Sequence, residues 1–128
     1  MNPVEMKYSK EHDYAKVEGN VVTLGITDHA QESLGDVVFV ELPEEGAQVT
    51  TGNSYGTVES VKAVSDIKAS INGRVVEVNT LVLDTPELVN TDPFGEGWLI
   101  KVEVDDLSSL ETMMTAAEYE TFLAEEEH

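Results

Sequence analysis

Cysteine is absent from the 128 residues. That excludes disulfides, thiolate metal sites and a cysteine nucleophile. Any sulfur redox chemistry must come from an attached group. Basic residues are scarce: six lysines and one arginine stand against 26 Asp and Glu, for a net charge of −19. Such a surface repels phosphate backbones and anionic lipid, so neither nucleic acid nor a membrane surface is an expected partner. Encounter with proteins that carry basic patches is favoured instead. The deficit is steepest near the C-terminus, where nine acidic residues and no Lys or Arg follow Lys101; a solvated acidic face accounts for most of that. No apolar run approaches the ~18 residues of a membrane span. Met1-Asn2-Pro3-Val4-Glu5 has neither a basic start followed by an apolar stretch nor the Arg-rich look of a transit peptide. The expected location is the cytoplasm, or the mitochondrial matrix if a transit peptide has been removed. With 41% apolar residues the chain belongs to the folded rather than the disordered class.

The length suits one domain, residues 1–128, with a core of about 7–104 and a helical extension of about 107–126. Val21-Val22-Thr23-Leu24-Gly25-Ile26 reads as a strand, rich in β-branched residues and preceded by Gly19-Asn20. Asp28 followed by Gln31 predicts a capping box and a short helix to about Leu34, stopping at Gly35. Residues 36–42 return to strand, and Pro43-Glu44-Glu45-Gly46 is a turn. Val49 begins another strand, broken by Thr51-Gly52-Asn53. Asn72-Gly73 is a tight-turn signal before a strand over 74–78. Thr85, with Pro86 at the first helical position, predicts a short helix. Trp98-Leu99-Ile100-Lys101-Val102-Glu103-Val104 reads as a last strand, Leu99 and Lys101 alternating against Ile100, Val102 and Val104, with one face buried and one wet. Ser108 with Glu111, and Thr115 with Glu118, predict two capped C-terminal helices. Leu107, Leu110, Met113 and Met114 form the apolar side of the first; Tyr119, Phe122 and Leu123 form that of the second. Many short strands with close turn signals predict a mainly β barrel or sandwich with small helices appended.

One stretch stands out. Glu59-Ser60-Val61-Lys62-Ala63-Val64-Ser65-Asp66 sets a lysine in a near-symmetric frame of Val58, Val61, Val64 and Ile67. Strand-like residues on both sides and small neighbours predict a hairpin tip that displays Lys62 to solvent. The bland reading is a solvated turn lysine. Enzyme constellations are missing: no G-x-S-x-G elbow, no P-loop, and Gly95-Glu96-Gly97 sits before a strand rather than between strand and helix. No metal site is expected, because His12, His29 and His128 lack ligand spacing. His29 reads as a packing or surface residue and His128 as part of a frayed tail. Glu11-His12-Asp13 reads on its own as a solvated strand or turn.

The accumulated motifs change the weighing. Gly25-Ile26-Thr27-Asp28-His29-Ala30-Gln31, then residues 34–43 (Leu-Gly-Asp-Val-Val-Phe-Val-Glu-Leu-Pro), then Val58-Glu59-Ser60-Val61-Lys62-Ala63, then Pro86-Glu87-Leu88-Val89-Asn90 and Gly97-Trp98, follow one order. The chain resembles the H-protein family of the glycine cleavage system, which are lipoyl carriers. The resemblance implies a lipoyl/biotinyl-domain-like barrel-sandwich hybrid of two β-sheets. It implies lipoate in amide linkage to Lys62, with Glu59, Ser60, Val61, Ala63 and Asp66 as flanking recognition residues. Ser60 and Ala63 are small enough to leave room for the modifying enzyme. A carrier of this family is not itself a catalyst. It shuttles an aminomethyl group from a pyridoxal-phosphate glycine decarboxylase to a tetrahydrofolate-dependent aminomethyltransferase, and an FAD-containing dihydrolipoamide dehydrogenase reoxidises it. A lipoate ligase or octanoyl transferase would attach the arm. The chain is expected to be a monomer.

Glu11, His12, Asp13 and Asp66 are the candidates to wall the cleft for the loaded arm, a carboxylate facing its amine. The sequence departs from the family's usual pattern at three places. His-Glu-Trp is replaced by His12-Asp13-Tyr14, a common proline by Ser70, and a frequent aromatic by Lys68. Other readings are an H-like relay donating lipoate to other enzymes, a biotin carrier (disfavoured because Val61 and Ala63 replace the usual methionines), a hydrolase using Glu11, His12 and Asp13, and an unmodified acidic interaction module.

Overall fold

The computed structural model describes residues 3–126. It contains nine strands in two sheets, with short helices at the turns and one longer helix at the end. The strands are β1 (Lys7–Tyr8), β2 (Asp13–Glu18), β3 (Val21–Ile26), β4 (Val37–Glu41), β5 (Gln48–Val49), β6 (Ser54–Ser60), β7 (Val64–Lys68), β8 (Gly73–Val78) and β9 (Ile100–Glu103). Six pair in the order β1-β2-β3-β9-β8-β5; three form a second sheet, β4-β6-β7. Two sheets, neither closed on itself, make the barrel-sandwich hybrid that the sequence predicts.

Between the sheets lies an aliphatic core, with Val22, Leu24, Val58, Val75, Val82, Leu99, Ile100 and Val102 all fully or almost fully buried. The strands alternate as a half-buried pleat requires: Ile100 and Val102 point in, while Lys101 and Glu103 remain partly exposed. Leu99 departs from the predicted alternation. It precedes the strand proper, its N–H donates to the Leu24 carbonyl, and it is fully buried.

The described residues form four α-helices: α1 (Asp28–Leu34), α2 (Thr80–Asp84), α3 (Leu88–Thr91) and α4 (Ala116–Glu126). The N-cap of α1 is Thr27 rather than Asp28; Thr27 Oγ1 accepts from the Ala30 amide, while Asp28 accepts from the Gln31 side chain. Helix α2 is unannounced in the sequence. Asn79 caps it through Oδ1, and Asn79 Nδ2 donates to the carbonyls of Glu96 (2.7 Å) and Trp98 (2.6 Å). Thr85 does not open a helix: it closes α2, its N–H donating to the Leu81 carbonyl, while its own carbonyl accepts from Leu88 in a turn, and α3 begins only at Leu88. Residues Ser108–Thr112 form a 3₁₀ turn with Leu107 at the cap position, not an α-helix opened by Ser108. By contrast, Thr115 and Glu118 make a reciprocal capping box, Thr115 N–H to Glu118 Oε1 (2.8 Å) and Glu118 N–H to Thr115 Oγ1 (3.2 Å).

Helix α4 packs on β1 and β2 through a second apolar cluster of Met6, Tyr8, Tyr14, Ala116 and Tyr119. The Tyr8 and Tyr119 rings stack with centroids 4.9 Å apart. Tyr8 also exchanges two backbone hydrogen bonds with Met114. Among the described residues no helix is long and apolar enough to cross a membrane.

Asn72-Gly73 does not turn a hairpin. β7 and β8 belong to different sheets, and the chain crosses between them there. Asn72 Oδ1 accepts from the Thr51 amide at 2.8 Å. Gly73 opens β8 where a side chain could not fit: a Cβ would lie 2.4 Å from the Glu103 carbonyl oxygen and 2.5 Å from Val102 Cγ1. The nearest obstacle is a backbone oxygen, which cannot rotate away. Gly73→Ala is expected to destabilise the fold by about 1–3 kcal/mol, the usual range for overpacking, read as a lower urea midpoint. An unchanged midpoint would show that β8 and β9 separate there at no cost.

Candidate functional site

The hairpin of β6 and β7 pairs Glu59 with Val64 and leaves residues 61–63 as its tip. Ser60, buried, braces that tip. Its N–H donates to the Ala63 carbonyl (2.8 Å), its hydroxyl donates to the same carbonyl (3.2 Å), and its Oγ accepts from the amides of Ala63 (3.1 Å) and Lys62 (3.3 Å). Ser60 is therefore more than a small neighbour: it holds the turn. Val61 N–H donates to the Asp36 carbonyl, fastening the tip to the segment after α1. Val61, Lys62, Ala63 and Val64 are all exposed, whereas Val58 and Ile67 of the apolar frame are buried. Lys62 makes no ion pair among the described residues.

Beneath the lysine lies Gly35. Its φ of 85° and ψ of −164° belong to a region essentially restricted to glycine. A Cβ there would stand 3.3 Å from Lys62 Cε, so the lysine stem runs over bare backbone. Asn90 of α3 fixes this segment. Its Nδ2 donates to the Gly35 carbonyl (2.9 Å) and to Gln31 Oε1 (3.0 Å), and its Oδ1 accepts from Val37 N–H (2.8 Å). In the sequence Asn90 stands only as the end of the Pro86-Glu87-Leu88-Val89-Asn90 motif, with no role of its own. A polar residue amid Leu88 and Val89 was the available signal.

Gly35 adjoins a cleft of about 380 Å³. Leu34 and Ala30 of α1, Ser65, Asp66, Ile67 and Lys68 of β7, and Glu11, His12 and Asp13 line it, together with Ile26, His29, Ser33 and Glu126. The fold thus brings Glu11, His12, Asp13 and Asp66 to one cavity. Glu59 is exposed on β6, outside the lining, between Phe39 and Val64 in the cross-strand register. Phe39, Val38, Val61 and Val64 are all largely exposed, an apolar collar near the lysine.

The three consecutive residues of the N-terminal motif differ sharply in environment. Glu11 is exposed, His12 is half-buried and Asp13 is only 2% exposed, so the expected solvated turn holds for Glu11 alone. His12 has φ 68°, the left-handed region uncommon outside glycine. That conformation ends the turn begun at Ser9, whose carbonyl accepts from His12 N–H, and lets the His12 carbonyl accept from Thr27. His12 Nδ1 is 2.8 Å from Tyr119 Oη, its Nε2 is 3.2 Å from Glu126 Oε1, and its ring lies 4.5 Å from that of His29. The sequence placed His29 among packing or surface residues; the fold sets it beside His12 because α1 starts where β3 ends, directly opposite the turn before β2. His128 lies outside the described residues.

Asp13 accepts hydrogen bonds from the Ser9 hydroxyl and from Ser70 Oγ (3.1 and 3.2 Å to its two oxygens). Ser70 thus has a specific task, which a proline could not perform. No cation pairs with Asp13 among the described residues. Burial pushes its carboxyl up from 3.8 to about 6; the Ser9 and Ser70 hydroxyls and its own backbone N–H pull the other way, and the Glu11 charge adds a further upward push. Between those values the folded chain holds the proton and the unfolded chain does not, so stability falls as pH rises through that window and levels off above pH 6. The shift corresponds to about 3 kcal/mol. In buffer free of divalent metal, Asp13→Asn should therefore gain about 2–3 kcal/mol over wild type between pH 4 and pH 7 by urea unfolding. Parallel stability curves for the two proteins would refute the upward shift.

Comparison with known proteins agrees with the geometry. The family profile described as Glycine cleavage H-protein matches residues 6–126. The glycine cleavage system H protein of Carboxydothermus hydrogenoformans is 52% identical over 124 residues, covering 97% of this chain and 95% of its own. That of Acinetobacter baumannii is 52% identical over 122 residues, covering 95% and 98%. The crystal structure of a glycine cleavage system H protein from Mycobacterium marinum superposes with a TM-score of 0.88 at 40% identity, over 96% of this chain and 99% of that one. The chain belongs to the glycine cleavage H-protein family.

Proposed function

We propose that the chain is the lipoyl carrier of a glycine cleavage system and that Lys62 bears the lipoyl group. The observation that carries this reading is the lysine itself: without an ion pair among the described residues, exposed, and held at a braced hairpin tip over a glycine beside a cleft. An amine to be acylated must enter a modifying enzyme's active site, and a rigid tip presents it in one orientation. Ser60 fixes that orientation, Gly35 leaves space along the stem, and Glu59, Val61, Ala63 and Asp66 surround it for recognition. The exposed ring of Phe39 and the side chains of Val38, Val61 and Val64 offer apolar contact to the ligase or octanoyl transferase and to the partner enzymes.

A lipoyl group, when attached, supplies the disulfide–dithiol chemistry that a chain without cysteine cannot. The residues around the cleft fit such an arm: Ile26, Leu34 and Ile67 offer apolar wall, and Asp13 and Asp66 offer carboxylates. Its volume lies within the usual range for small-ligand sites, roughly 300–1,000 Å³. Asp66 is exposed and accepts from Thr57 Oγ1 at 3.4 Å, so it is free to meet an amine at the cleft rim. Asp13 is poised differently. Surrounded by neutral hydroxyls, its charge is relieved when a cation arrives. Glu11 and His12 complete the same wall. Closing the cleft over a labile aminomethyl group would slow its loss to water. The chain performs no bond-making of its own. It serves glycine decarboxylase, the tetrahydrofolate-dependent aminomethyltransferase and dihydrolipoamide dehydrogenase in turn. Tethering keeps each transfer local. A monomer located in the cytoplasm suits that traffic.

Two outcomes test this reading. Expressed with lipoate and a competent ligase, the protein should gain one lipoyl increment by intact-mass spectrometry, mapped to Lys62 and lost in Lys62→Arg. An unmodified Lys62, with the ligase active on another carrier, would favour the acidic interaction module. In the loaded carrier, Asp66→Asn should speed release of the carried amine roughly five-fold, the loss of about 1 kcal/mol from replacing a charged by a neutral hydrogen bond. Identical decay curves would remove Asp66 from the cleft's function.

A further inference from the structure

We propose that His12, His29 and Glu126 form a binding site for a divalent transition metal of the zinc class. The three come from the turn before β2, the first turn of α1 and the last residue of α4. One ligand atom from each lies within 4.8 Å of the other two. His12 Nε2 and Glu126 Oε1, 3.2 Å apart, already have about the separation of two ligands on one tetrahedral ion, ~3.3 Å for bonds of ~2.0–2.1 Å. The His12 and His29 rings, centroids 4.5 Å apart and tilted by 36°, need only side-chain rotation to aim a nitrogen each at a common point.

The second observation is behind the ligands. Tyr119, fully buried, places its hydroxyl 2.8 Å from His12 Nδ1 and 2.8 Å from Thr27 Oγ1. Tyr119 Oη can accept from Nδ1–H and donate to Thr27 Oγ1, which leaves Nε2 bare and fixed in direction. Metal-binding histidines characteristically have such a partner on the second nitrogen. The left-handed backbone at His12 and the hydrogen bond from Thr27 to its carbonyl restrain the ring further.

Two imidazoles and one carboxylate suit Zn²⁺, Ni²⁺ or Cu²⁺ better than Mg²⁺ or Ca²⁺, which favour all-oxygen shells. Three protein ligands leave a fourth position for water. All three residues line the cleft, so a bound ion would tie the end of α4 to α1 and sit in the cleft wall. This inference does not depend on Lys62 or its modification.

Zn²⁺ is titrated into the unlipoylated full chain against a chromophoric chelator, with a large excess of Mg²⁺ to occupy the acidic surface. One site per chain is expected, with affinity falling at least roughly 10-fold in both His29→Ala and Glu126→Gln. Zn²⁺ should also raise the melting temperature of wild type more than that of either variant, by mass action. Both side chains are at least partly exposed, and circular dichroism without zinc checks that each variant folds; if one does not, the other decides. Equal affinity in all three proteins, or zinc fully displaced by Mg²⁺, would overturn the proposal and assign the ion to the diffuse acidic surface.

Discussion

The side chain of Asn90 constrains the functional end of this molecule. An amide has one acceptor oxygen and one two-proton donor nitrogen, and here both are engaged. The bonds reach the last carbonyl of the α1 cap, a side chain within α1, and the first amide of β4. They hold the path by which α1 leaves through the glycine conformation at Gly35 and enters the three-stranded sheet. From that path the Asp36 carbonyl takes the Val61 amide, and so the hairpin tip is fixed. Each such bond contributes about 1 kcal/mol net, but leaving a buried partner unsatisfied costs about 1–3 kcal/mol. An exposed lysine is usually the freest side chain on a protein; here its backbone is held by Ser60 from within the turn and by Asn90 from below.

The site combines opposite demands on charge. Lys62 must remain in water to be modified, while Asp13 is withdrawn from it with only hydroxyls and its own amide to satisfy it. A buried carboxylate without a cation is unfavourable, and the strands beside it could have carried a neutral residue at lower cost. Ser70 bears on this point. By the resemblance it stands where proline is expected, and it donates to Asp13, which stands where glutamate is expected. The two departures, unconnected in the sequence, touch in space, and the hydroxyl serves the shorter acid.

What was legible in the sequence was mostly local or carried by motifs. β3 announced itself through β-branched residues, the lysine hairpin through its symmetric frame, and the start of α4 through Thr115 and Glu118. The two-sheet hybrid followed from the ordered motifs and not from periodicity, which left barrel and sandwich open. The failures share one cause: a local signal has several tertiary uses. Asn72-Gly73 marks a reversal whether the chain returns to the same sheet or crosses to another. Asn79 carries no local helix signal of its own; it caps α2 only because the carbonyls of Glu96 and Trp98 hold its amide in place. Leu99 shares a face with Lys101 by alternation yet is fully buried, because the strand proper begins only after it. The cleft itself was the least legible feature, since His12, His29, Asp66 and Glu126 lie on separate elements and only the resemblance linked some of them.

The end of α4 explains why an acidic tail belongs beside the cleft. Its last turn holds no basic residue, and Glu125 and Glu126 lie at the helix pole where negative charge is disfavoured, by about 0.3–1 kcal/mol each on an exposed surface. Packing does not require them: the helix is anchored by Tyr119 and Ala116 at its first turns, in an apolar cluster separate from the main core. A helix so anchored could end in any solvated sequence. Glu126 nevertheless reaches the half-buried His12, whose other nitrogen faces the very tyrosine that anchors the helix. Anchor and acidic tip therefore meet on one imidazole. The electrostatic cost at the helix terminus is offset only where a positive group, protonated histidine or bound cation, stands in the cleft wall.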